Sequence, residues 1–550
     1  MAGLGLWRPS EWLHAAAPGQ PAAELSGTTF DLRIGETPMN LTGSPRTALT
    51  INGRLPAPTL RWREGDTVTL RVANTLREDT SIHWHGILLP ANMDGVPGLS
   101  FHGIHPGETY TYRFTVRQAG TYWYHSHSGF QEQRGLYGPL VIEPRTPEPF
   151  RYDREHVVML SDWTDENPAR VLAKLKKQSD YYNFRQRTIG DFFRDIGADG
   201  LGATLAERRG WAEMRMSAAD LADVTGSTYT YLVNGQPPAA NWTGLFRSGE
   251  RVRLRFINGS AMTYFDVRIP GTRMTVVAAD GQSVHPVTVD EFRLAVAETL
   301  DVIVESSGEE AFTIFAQAMD RTGYAAGTLA VAPGLRAPVP NLDARPVLTM
   351  ADVGHGAMDV GAHAGHAGHD MSAMGGGQSH PESERGNPLV DMLASMPASK
   401  LDDPGIGLRD NGRRVLTYAD LTSLFDDPDG REPARTVELH LTGHMERFAW
   451  SFNGVKFSDA EPVRLTYGER LRVVLVNDTM MTHPIHLHGM WSDVENDAGA
   501  FHVRKHTVDM PPGSKRSFRV TADALGRWAF HCHLLYHMET GMFREVRVEE

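Results

Sequence analysis

The sequence GDTVTLRVAN at residues 65–74 recurs as GERVRLRFIN at residues 249–258 and as GERLRVVLVN at residues 468–477. Each copy begins with Gly and an acidic residue, continues with alternating apolar and polar residues, and ends on Asn. This period of two, bounded by Gly and Asn, is typical of half-buried strands joined by turns. Three copies therefore predict three homologous domains, each a β-sandwich or β-barrel. An Asn-Gly pair precedes each copy at nearly the same offset, at residues 52–53, 234–235 and 453–454.

Length and composition limit the class of protein. A chain of 550 residues is too long for one ordinary hydrophobic core, and its 41% hydrophobic and 22% charged residues are typical of a globular protein. The net charge of −13 argues against a broad nucleic-acid surface, because polyanion binding needs a basic patch. No apolar run approaches the roughly 18–20 residues of a membrane helix. We therefore expect neither a nucleic-acid partner nor a membrane span.

The segments between the repeats predict the domain organisation. One segment has the composition of helices, and a later one is rich in Gly, Ala, His and Met without strand periodicity, as in a flexible linker. We predict a residual signal or tail at 1–24, domain 1 at 25–147, domain 2 at 148–340 with a helical insertion at about 165–225, a Met/His-rich insert and linker at 341–434, and domain 3 at 435–550.

The N-terminal residues are similar to the end of an export signal. The apolar start of MAGLGLWRPSEWLHAAAPGQ is followed by three alanines and Pro-Gly, without the basic residues that begin such signals. We expect an exported protein whose signal is truncated here, with a ragged N-terminal tail as the alternative. The single cysteine, Cys532, cannot form an internal disulfide and leaves the redox compartment open.

Four His-x-His pairs occur at equivalent places in the first and third repeats. In each of these repeats one pair follows the Asn-ended strand, and the second comes five residues after a Gly. The middle repeat has the matching strand but no histidine at these places. The pattern predicts metal sites where domains 1 and 3 meet, with the middle domain as a spacer. The paired residues are His83 and His85, His125 and His127, His486 and His488, and His531 and His533.

In HCHLLYHMETGM, residues 531–542, the only cysteine stands between two histidines. Neighbouring residues of a strand point to opposite faces, so His531 and His533 face one way and Cys532 the other. One strand can therefore serve two metal centres. The thiolate would meet two imidazoles and a weak thioether, the ligand set of a blue-copper electron-transfer site. These candidate ligands are His483, His537 and Met542.

The first domain has Ser126 at the place of Cys532, and a hydroxyl cannot replace the thiolate, so only domain 3 should hold the electron-transfer copper. On the other face, eight imidazoles exceed the needs of one copper ion and fit a cluster of three. The repeated ligands include no carboxylate, which argues against magnesium or calcium. The combination predicts one-electron oxidation coupled to the four-electron reduction of O2 to water.

The motifs HWHG, HSH, HPIHLHG and HCHLLYHMETGM resemble the four copper-binding motifs of the multicopper oxidases. The resemblance covers the whole chain and implies an all-β fold of three cupredoxin-like Greek-key domains. It also implies four copper ions, one of type 1, one of type 2 and two of type 3. The implied type 1 ligands are His483, Cys532 and His537, with Met542 axial. The implied type 2 ligands are His83 and His486. The implied type 3 ligands are His85, His125 and His533 for one ion, and His127, His488 and His531 for the other.

Two acidic residues are candidates for supplying protons to the reaction. Asp94, in NMDGVPG, matches the acidic residue that the family places beside the cluster; a turn-stabilising Asp before Gly95 is the alternative. Several members of the family have Glu directly after the second type 1 histidine, where this chain has Met538 and then Glu539. Glu539 is therefore a candidate relay with a different geometry.

Three longer stretches resemble the bacterial copper-resistance oxidases of the CopA/PcoA group: ELHLTGHMERFAWSFNGVKFSDAEP, VNDTMMTHPIHLHGMWSD and RKHTVDMPPGSKRSFRVTADALGRW. The Met/His-rich insert favours the same group, because thioethers prefer Cu(I) and imidazoles accept either copper state. A low-complexity linker without a metal site is the alternative. The candidate copper ligands of the Met/His-rich insert are His355, His363, His366, His369 and His380 with Met358, Met371 and Met374.

Three functional hypotheses follow from these features. The leading one is a periplasmic oxidase of Cu(I), acting in copper resistance with O2 as the acceptor. The second is a laccase-like oxidase of phenols or other small organic donors that uses the same metals. The third is a periplasmic copper-sequestering protein in which the insert is the functional part. We expect a monomer in each case.

Overall fold

The computed structural model describes residues 23–305, 310–355 and 377–550. Most of the predicted N-terminal signal or tail lies outside the described residues. The central part of the Met/His-rich insert also lies outside them, whereas His355 and His380 at its flanks are described. The predicted insert residues outside the described ranges are Met358, His363, His366, His369, Met371 and Met374.

The first repeat forms two packed sheets. Its strands are β1 (Glu24–Ser26), β2 (Thr29–Met39), β3 (Arg46–Ile51), β4 (Thr59–Arg63), β5 (Thr67–Asn74), β6 (His83–His85), β7 (Thr109–Thr115), β8 (Gly120–His125) and β9 (Tyr137–Glu143). One sheet has the order β3-β2-β5-β7 and the other β1-β4-β9-β8-β6. Trp62 of one sheet packs against Phe114 of the other with ring centroids 5.6 Å apart, so the core lies between the sheets.

The second repeat has the same arrangement. Its strands are β10 (Arg154–Thr164), β11 (Tyr229–Val233), β12 (Trp242–Leu245), β13 (Arg251–Asn258), β14 (Phe265–Arg268), β15 (Met274–Ala279), β16 (Gln282–Val289), β17 (Glu291–Leu294), β18 (Thr299–Glu305), β19 (Ala311–Ala318) and β20 (Tyr324–Ala330). The sheets have the orders β11-β10-β13-β18-β15-β16 and β12-β20-β19-β14-β17. Phe256 and Phe292 pack across them at 5.3 Å between centroids.

The third repeat matches the second strand for strand. Its strands are β21 (Arg435–His444), β22 (Ala449–Phe452), β23 (Val463–Thr466), β24 (Arg470–Asn477), β25 (His483–Leu487), β26 (Ser492–Glu495), β27 (Phe501–Lys505), β28 (Thr507–Met510), β29 (Lys515–Thr521), β30 (Gly526–Cys532) and β31 (Phe543–Glu549). The sheets have the orders β22-β21-β24-β29-β26-β27 and β23-β31-β30-β25-β28. The all-β prediction is confirmed.

The repeated sequence occupies the same place in each unit. It forms β5, β13 and β24, each parallel to one neighbour and antiparallel to the other. The final Asn is buried because its side-chain amide holds the loop that leads to the next strand. Asn74 donates to the carbonyl oxygen of Glu78 over 2.9 Å, and Asn477 donates to that of Met481 over 2.8 Å. In the outer repeats a histidine pair lies on that next strand or, for His488, directly after it, so the repeated Asn positions the site.

Helices are few and short in the described residues. Three of them lie between β10 and β11, within the segment for which the sequence predicts helices. The first begins at Asn167, whose side chain accepts from the N–H of Ala169, and the second begins with a capping box between Thr188 and Asp191. In the described part of the chain, no helix is long and apolar enough to span a membrane. The helices are α1 (Pro168–Leu175), α2 (Ile189–Asp199), α3 (Leu201–Glu213) and α4 (Leu535–Glu539), with 3-10 turns at Ala91–Met93, Tyr418–Asp420 and Phe457–Asp459.

Candidate metal centres

Strand β30 presents side chains to two separate sites. The Nε2 atom of His531 lies 3.1 Å from Nε2 of His488 and 3.3 Å from Nε2 of His127. The Sγ atom of the next residue, Cys532, instead lies 3.5 Å from Nδ1 of His483. The alternation of a strand therefore separates a cysteine site from a histidine cluster by a single residue step.

The cysteine site brings together the predicted thiol and two imidazoles. Nδ1 of His537 is 3.1 Å from Nδ1 of His483 and 3.8 Å from Sγ of Cys532. The three donor atoms lie within 4.8 Å of one another and the residues are buried. The predicted axial residue, Met542, is also buried, and its carbonyl oxygen accepts from the N–H of Cys532 over 3.1 Å.

Hydrogen bonds fix the orientation of both imidazoles in the cysteine site. Nε2 of His483 lies 2.7 Å from the hydroxyl of Thr479, and Nε2 of His537 lies 2.8 Å from a carboxylate oxygen of Asp223. Each ring therefore turns Nδ1 toward Cys532, as is usual for metal-binding histidines held by a partner on the other nitrogen.

Burial changes the protonation of the ligands in the cysteine site in a way that favours cation binding. Burial lowers the pKa of His483 and of His537 well below the usual value, so both rings are neutral and their Nδ1 lone pairs are free. Burial raises the pKa of the Cys532 thiol, so the thiolate forms here only when a cation compensates its charge.

All eight paired histidines converge where the first and third repeats meet. They fall into groups whose ring nitrogens lie within 4.8 Å of one another. Two of these groups equal the two type 3 sets implied by the motif resemblance, while His83 groups with both His486 and His488. The groups include His83, His486 and His488; His85, His125 and His533; His85, His486 and His506; and His127, His488 and His531.

The chemistry of the donor set in the histidine cluster fits copper. Several ring nitrogens are buried without a hydrogen-bond partner in the described residues, which is costly unless a metal binds them. Burial also lowers the pKa of His85 and His533 well below the usual value, which leaves neutral imidazoles. The unpartnered nitrogens are Nε2 of His83, His125, His486 and His533 and both nitrogens of His85.

Asp94 links histidines from the two repeats. Its carboxylate lies 2.8 Å from Nδ1 of His488, and its backbone carbonyl lies 2.8 Å from Nδ1 of His83. The residue is fully buried and follows the 3-10 turn Ala91–Met93. Both interactions leave Nε2 of the rings directed into the cluster, so Asp94 acts on ligand orientation as well as on local charge.

Glu539 lies at the exposed end of α4, and its electrostatic neighbour is Lys176. Among the described residues, no hydrogen bond or ion pair connects Glu539 to a cluster histidine, and its role in proton supply stays a prediction. A different acid contacts a cluster histidine directly. The buried carboxyl of Glu132 lies 2.7 Å from Nδ1 of His125.

Three residues of these sites were not predicted from the sequence. Asp223 contacts His537 from 314 positions away, and no local spacing connects the two. Glu132 follows the second histidine pair by five residues without belonging to a motif. The ring of His506 lies 4.8 Å from that of His85, and its Nε2 is buried without a partner in the described residues. His506 stands alone in the sequence KHTVD, without a second histidine two residues away.

The glycine that ends the HWHG motif is required by the packing of the cluster. Gly86 has a φ of +77°, and a Cβ placed there would lie 2.4 Å from Cδ2 of His506. The glycine of HLHG has the same role, because a Cβ on Gly489 would lie 2.4 Å from the ring of Trp528. Both motifs therefore combine two ligand candidates with one close backbone approach.

Comparison with known proteins places the chain in a family. Three family models, each described as multicopper oxidase, match residues 33–147, 154–333 and 430–550. The chain belongs to the multicopper oxidase family, and copper is its cofactor. The predicted cupredoxin-like fold and oxidase class are confirmed.

The chain is similar along its whole length to proteins named for copper resistance. The copper resistance protein A homolog of Pseudomonas syringae pv. tomato is 68% identical, with 100% of this chain and 97% of that protein covered. Copper resistance protein A of Escherichia coli is 67% identical, with 100% and 96% covered. Among solved structures, Fet3p, a multicopper oxidase that functions in iron import, has a TM-score of 0.65 at 20% identity, covering 96% of this chain and 91% of that chain. This last likeness supports the fold.

Proposed function

We propose that the protein is a copper-resistance oxidase that takes electrons from Cu(I) and delivers them to O2. Four Cu(I) ions, one O2 and four protons would give four Cu(II) ions and two water molecules. The observation that carries the proposal is the pair of adjacent residues His531 and Cys532, which belong to two different sites. The names and the 66–68% identity of the copper-resistance relatives support Cu(I) as the donor.

The two sites divide the work between them. When bound, copper supplies one-electron exchange at the cysteine site and multi-electron reduction of O2 at the histidine cluster. Cys532, His483 and His537 would hold the type 1 ion, with Met542 as a weak ligand. The eight paired histidines would hold the other three ions. Burial lowers the pKa of His483, His537, His85 and His533 well below the usual value, so these imidazoles are neutral ligands.

Carboxyl groups beside the cluster would handle protons. The carboxylate of Asp94 accepts the Nδ1–H of His488 and fixes that ring. Burial raises the pKa of Glu132 well above the usual value, so its carboxyl can hold a proton at Oε1, which has no partner in the described residues. We assign Glu132 and Asp94 as the proton-handling groups nearest to the cluster, in addition to the sequence candidate Glu539.

A cleft beside the cysteine site favours a second candidate function. It is lined by Met480 and Thr482, two residues that precede His483 closely, and by the apolar side chains of Leu348 and Leu421. Apolar side chains of this kind would contact the ring of a small organic donor next to the cysteine site. The alternative is therefore a laccase-like oxidase of organic donors that uses the same ligands.

Oxygen consumption with two donors distinguishes these functions. Copper-loaded protein is supplied with stabilised Cu(I) or with a small phenol, and the rates are compared. A chain in which a Gly/Ser linker replaces residues 356–376 serves as the matched variant. Faster turnover of Cu(I), with a larger loss for Cu(I) than for phenol in the variant, supports the proposal. Strong phenol turnover with little Cu(I) turnover supports the laccase alternative, and no turnover with either donor supports copper sequestration.

A periplasmic location is part of the proposal. The apolar N-terminal run followed by alanines is similar to the end of an export signal. The resemblance to proteins named for copper resistance supports the same location. Fractionation of cells that express the protein from its native gene tests it, with recovery of the protein in the cytoplasmic fraction as the contradicting result.

A further inference from the structure

Two histidines and two acids converge at a third place, outside both copper sites. Nδ1 of His440 lies 2.7 Å from Oδ2 of Asp478 and 3.4 Å from Oε2 of Glu384. Nδ1 of His380 lies 3.2 Å from the same oxygen of Asp478 and 3.3 Å from the same oxygen of Glu384. Two nitrogens and two oxygens thus surround one point.

The four residues come from elements that the fold holds together. His440 lies on β21, and Asp478 follows β24, the parallel neighbour of β21. The N–H of Asp478 donates to the carbonyl oxygen of Leu441, which fixes this end of the strand pair. His380 and Glu384 come from the chain just after residues 356–376. The cluster therefore lies where the Met/His-rich segment joins the third repeat.

The outer nitrogens of both rings are already committed. Nε2 of His380 lies 3.1 Å from the carbonyl oxygen of Ala394, and Nε2 of His440 lies 3.1 Å from a carboxylate oxygen of Glu438. A neutral imidazole in each place carries its proton on Nε2, because both partners are acceptors. Both Nδ1 lone pairs then face carboxylate oxygens, an arrangement that needs positive charge at the centre.

The acids are oriented in the same way. Oδ1 of Asp478 accepts from the N–H of Ala394 over 2.7 Å, which leaves Oδ2 directed at the rings. Glu384 and Asp478 are at most 1% exposed, and Oε1 of Glu384 has no partner in the described residues. Two buried carboxylates are costly without a compensating cation. Burial opposes protonation of His380, but Asp478 and Glu384 outweigh it and raise its pKa to about 10.

We propose that His380, Glu384, His440 and Asp478 bind a divalent transition-metal cation of the zinc(II) or copper(II) class. Metal–ligand bonds of about 2.0–2.1 Å in a tetrahedron place ligand atoms about 3.3 Å apart, close to three of the four separations in this cluster. Two imidazoles with two carboxylates suit these cations better than magnesium or calcium, which prefer oxygen alone, and better than Cu(I), which prefers sulfur.

The site would anchor residues 380–384, which belong to the predicted Met/His-rich insert and linker. Binding would fix residues 380–384 to β21 and to the end of β24. Asp478, which follows β24, is the neighbour of Thr479, whose hydroxyl contacts His483 of the cysteine site. A dication would replace the two ring protons that otherwise balance the carboxylates, so it binds with proton release. None of its four residues belongs to the type 1, type 2 or type 3 ligand sets, although His380 is also a candidate ligand of the Met/His-rich insert.

Zinc retention tests the proposal without depending on turnover. Copper-loaded wild-type protein and its His380→Gln and Glu384→Gln variants are incubated with Zn(II), dialysed and analysed for zinc and copper per chain. His105→Gln is the matched control, because His105 makes an exposed pair with Asp79 at 3.0 Å. We expect wild type and control to keep one zinc more than either variant, with the blue absorption of the cysteine site equal in all four proteins.

Diffraction data collected at the zinc edge provide a measurement that needs no variant. An anomalous peak between the four side chains of the wild-type protein supports the site. EPR of added Cu(II) then shows whether copper occupies the same ligands, as one further signal that is lost in Glu384→Gln. Equal zinc retention in wild type and variants, with no anomalous peak, would overturn the proposal in favour of two protonated histidines that neutralise the acids.

Discussion

The Nδ1–H of His531 donates a hydrogen bond to the carbonyl oxygen of Cys532 over 2.9 Å. The two residues are adjacent, yet the ring of His531 belongs to the histidine cluster and the thiol of Cys532 to the cysteine site. The hydrogen bond supplements the covalent backbone between the sites, and it holds the ring with Nε2 directed into the cluster. If electrons enter at the thiolate, as we propose, the backbone and this hydrogen bond would give them a short route to the second site.

Replacing the thiol should cut this route. We expect Cys532→Ser to abolish the blue absorption and at least nine-tenths of oxygen consumption, because a hydroxyl is a poor copper ligand. Copper in the histidine cluster should remain, since no cluster residue is altered. Absorption spectra, copper content and oxygen-electrode rates measure these effects. Turnover of Cu(I) at the wild-type rate would show that electrons enter elsewhere.

The carboxylate of Asp223 should tune the cysteine site. In Asp223→Asn the Nε2–H of His537 loses a charged acceptor, so the imidazole becomes a weaker donor toward copper. We expect copper affinity at this site to fall by about 10–100-fold and its reduction potential to rise. A redox titration of the blue absorption measures the change. Asp497→Asn is the control, because Asp497 is exposed, and an equal shift in both variants would contradict the prediction.

Asp94 should matter for oxygen reduction rather than for electron entry. Its carboxylate orients His488, and Asp94→Asn keeps the size of the side chain while removing the charge. We expect reoxidation of the reduced protein by O2 to slow by about 10–100-fold, with the blue absorption intact. Stopped-flow absorption follows the reaction. Asp79→Asn, which alters an exposed pair with His105, should leave the rate unchanged; unchanged reoxidation in Asp94→Asn would remove Asp94 from the mechanism.

A pair of glycines with the same backbone conformation separates steric from conformational cost. Gly86 and Gly98 both have a φ of +77°, but a Cβ on Gly98 meets nothing within 4 Å, whereas one on Gly86 collides with His506. We expect Gly98→Ala to lower the free energy of unfolding by about 1–2 kcal/mol and Gly86→Ala to lower it further and to release copper from the cluster. Denaturant unfolding and copper analysis measure both. Equal losses would mean that His506 moves without cost.

Asp220 should make stability fall with rising pH. Burial, followed by the charge of Asp223, raises its pKa from 3.8 to about 8. Between these values the folded protein binds more protons than the unfolded chain, so the free energy of unfolding decreases as pH rises. In the wild-type protein this effect lowers the free energy of unfolding by an amount on the order of a few kcal/mol between pH 5 and pH 8. We expect Asp220→Asn to remove that decrease. The exposed Asp497→Asn is the control, and an unchanged slope in Asp220→Asn would assign the dependence to other groups.

Much of the fold was predictable because it follows from short-range patterns in the sequence. Strand alternation, the Asn-Gly turns and the Asn at the end of β5, β13 and β24 are short-range features, and their repetition made the three units visible. The predicted site residues share this property. Residues i and i+2 of one strand face the same side, so the histidine pairs and the separation of Cys532 from His531 follow from the period of a strand.

The remaining features depend on contacts between distant parts of the chain. Asp223, Glu132 and His506 enter the sites because separate segments pack together, and burial then sets the pKa values and leaves ring nitrogens without partners. The cluster of His380, Glu384, His440 and Asp478 likewise joins a segment after the insert to the ends of two strands. The sequence by itself determined the repeated strands and the ligand pairs, because these are periodic along one strand. Only the tertiary structure decided that Asp223, Glu132 and His506 meet them, because these contacts join residues that no sequence motif relates.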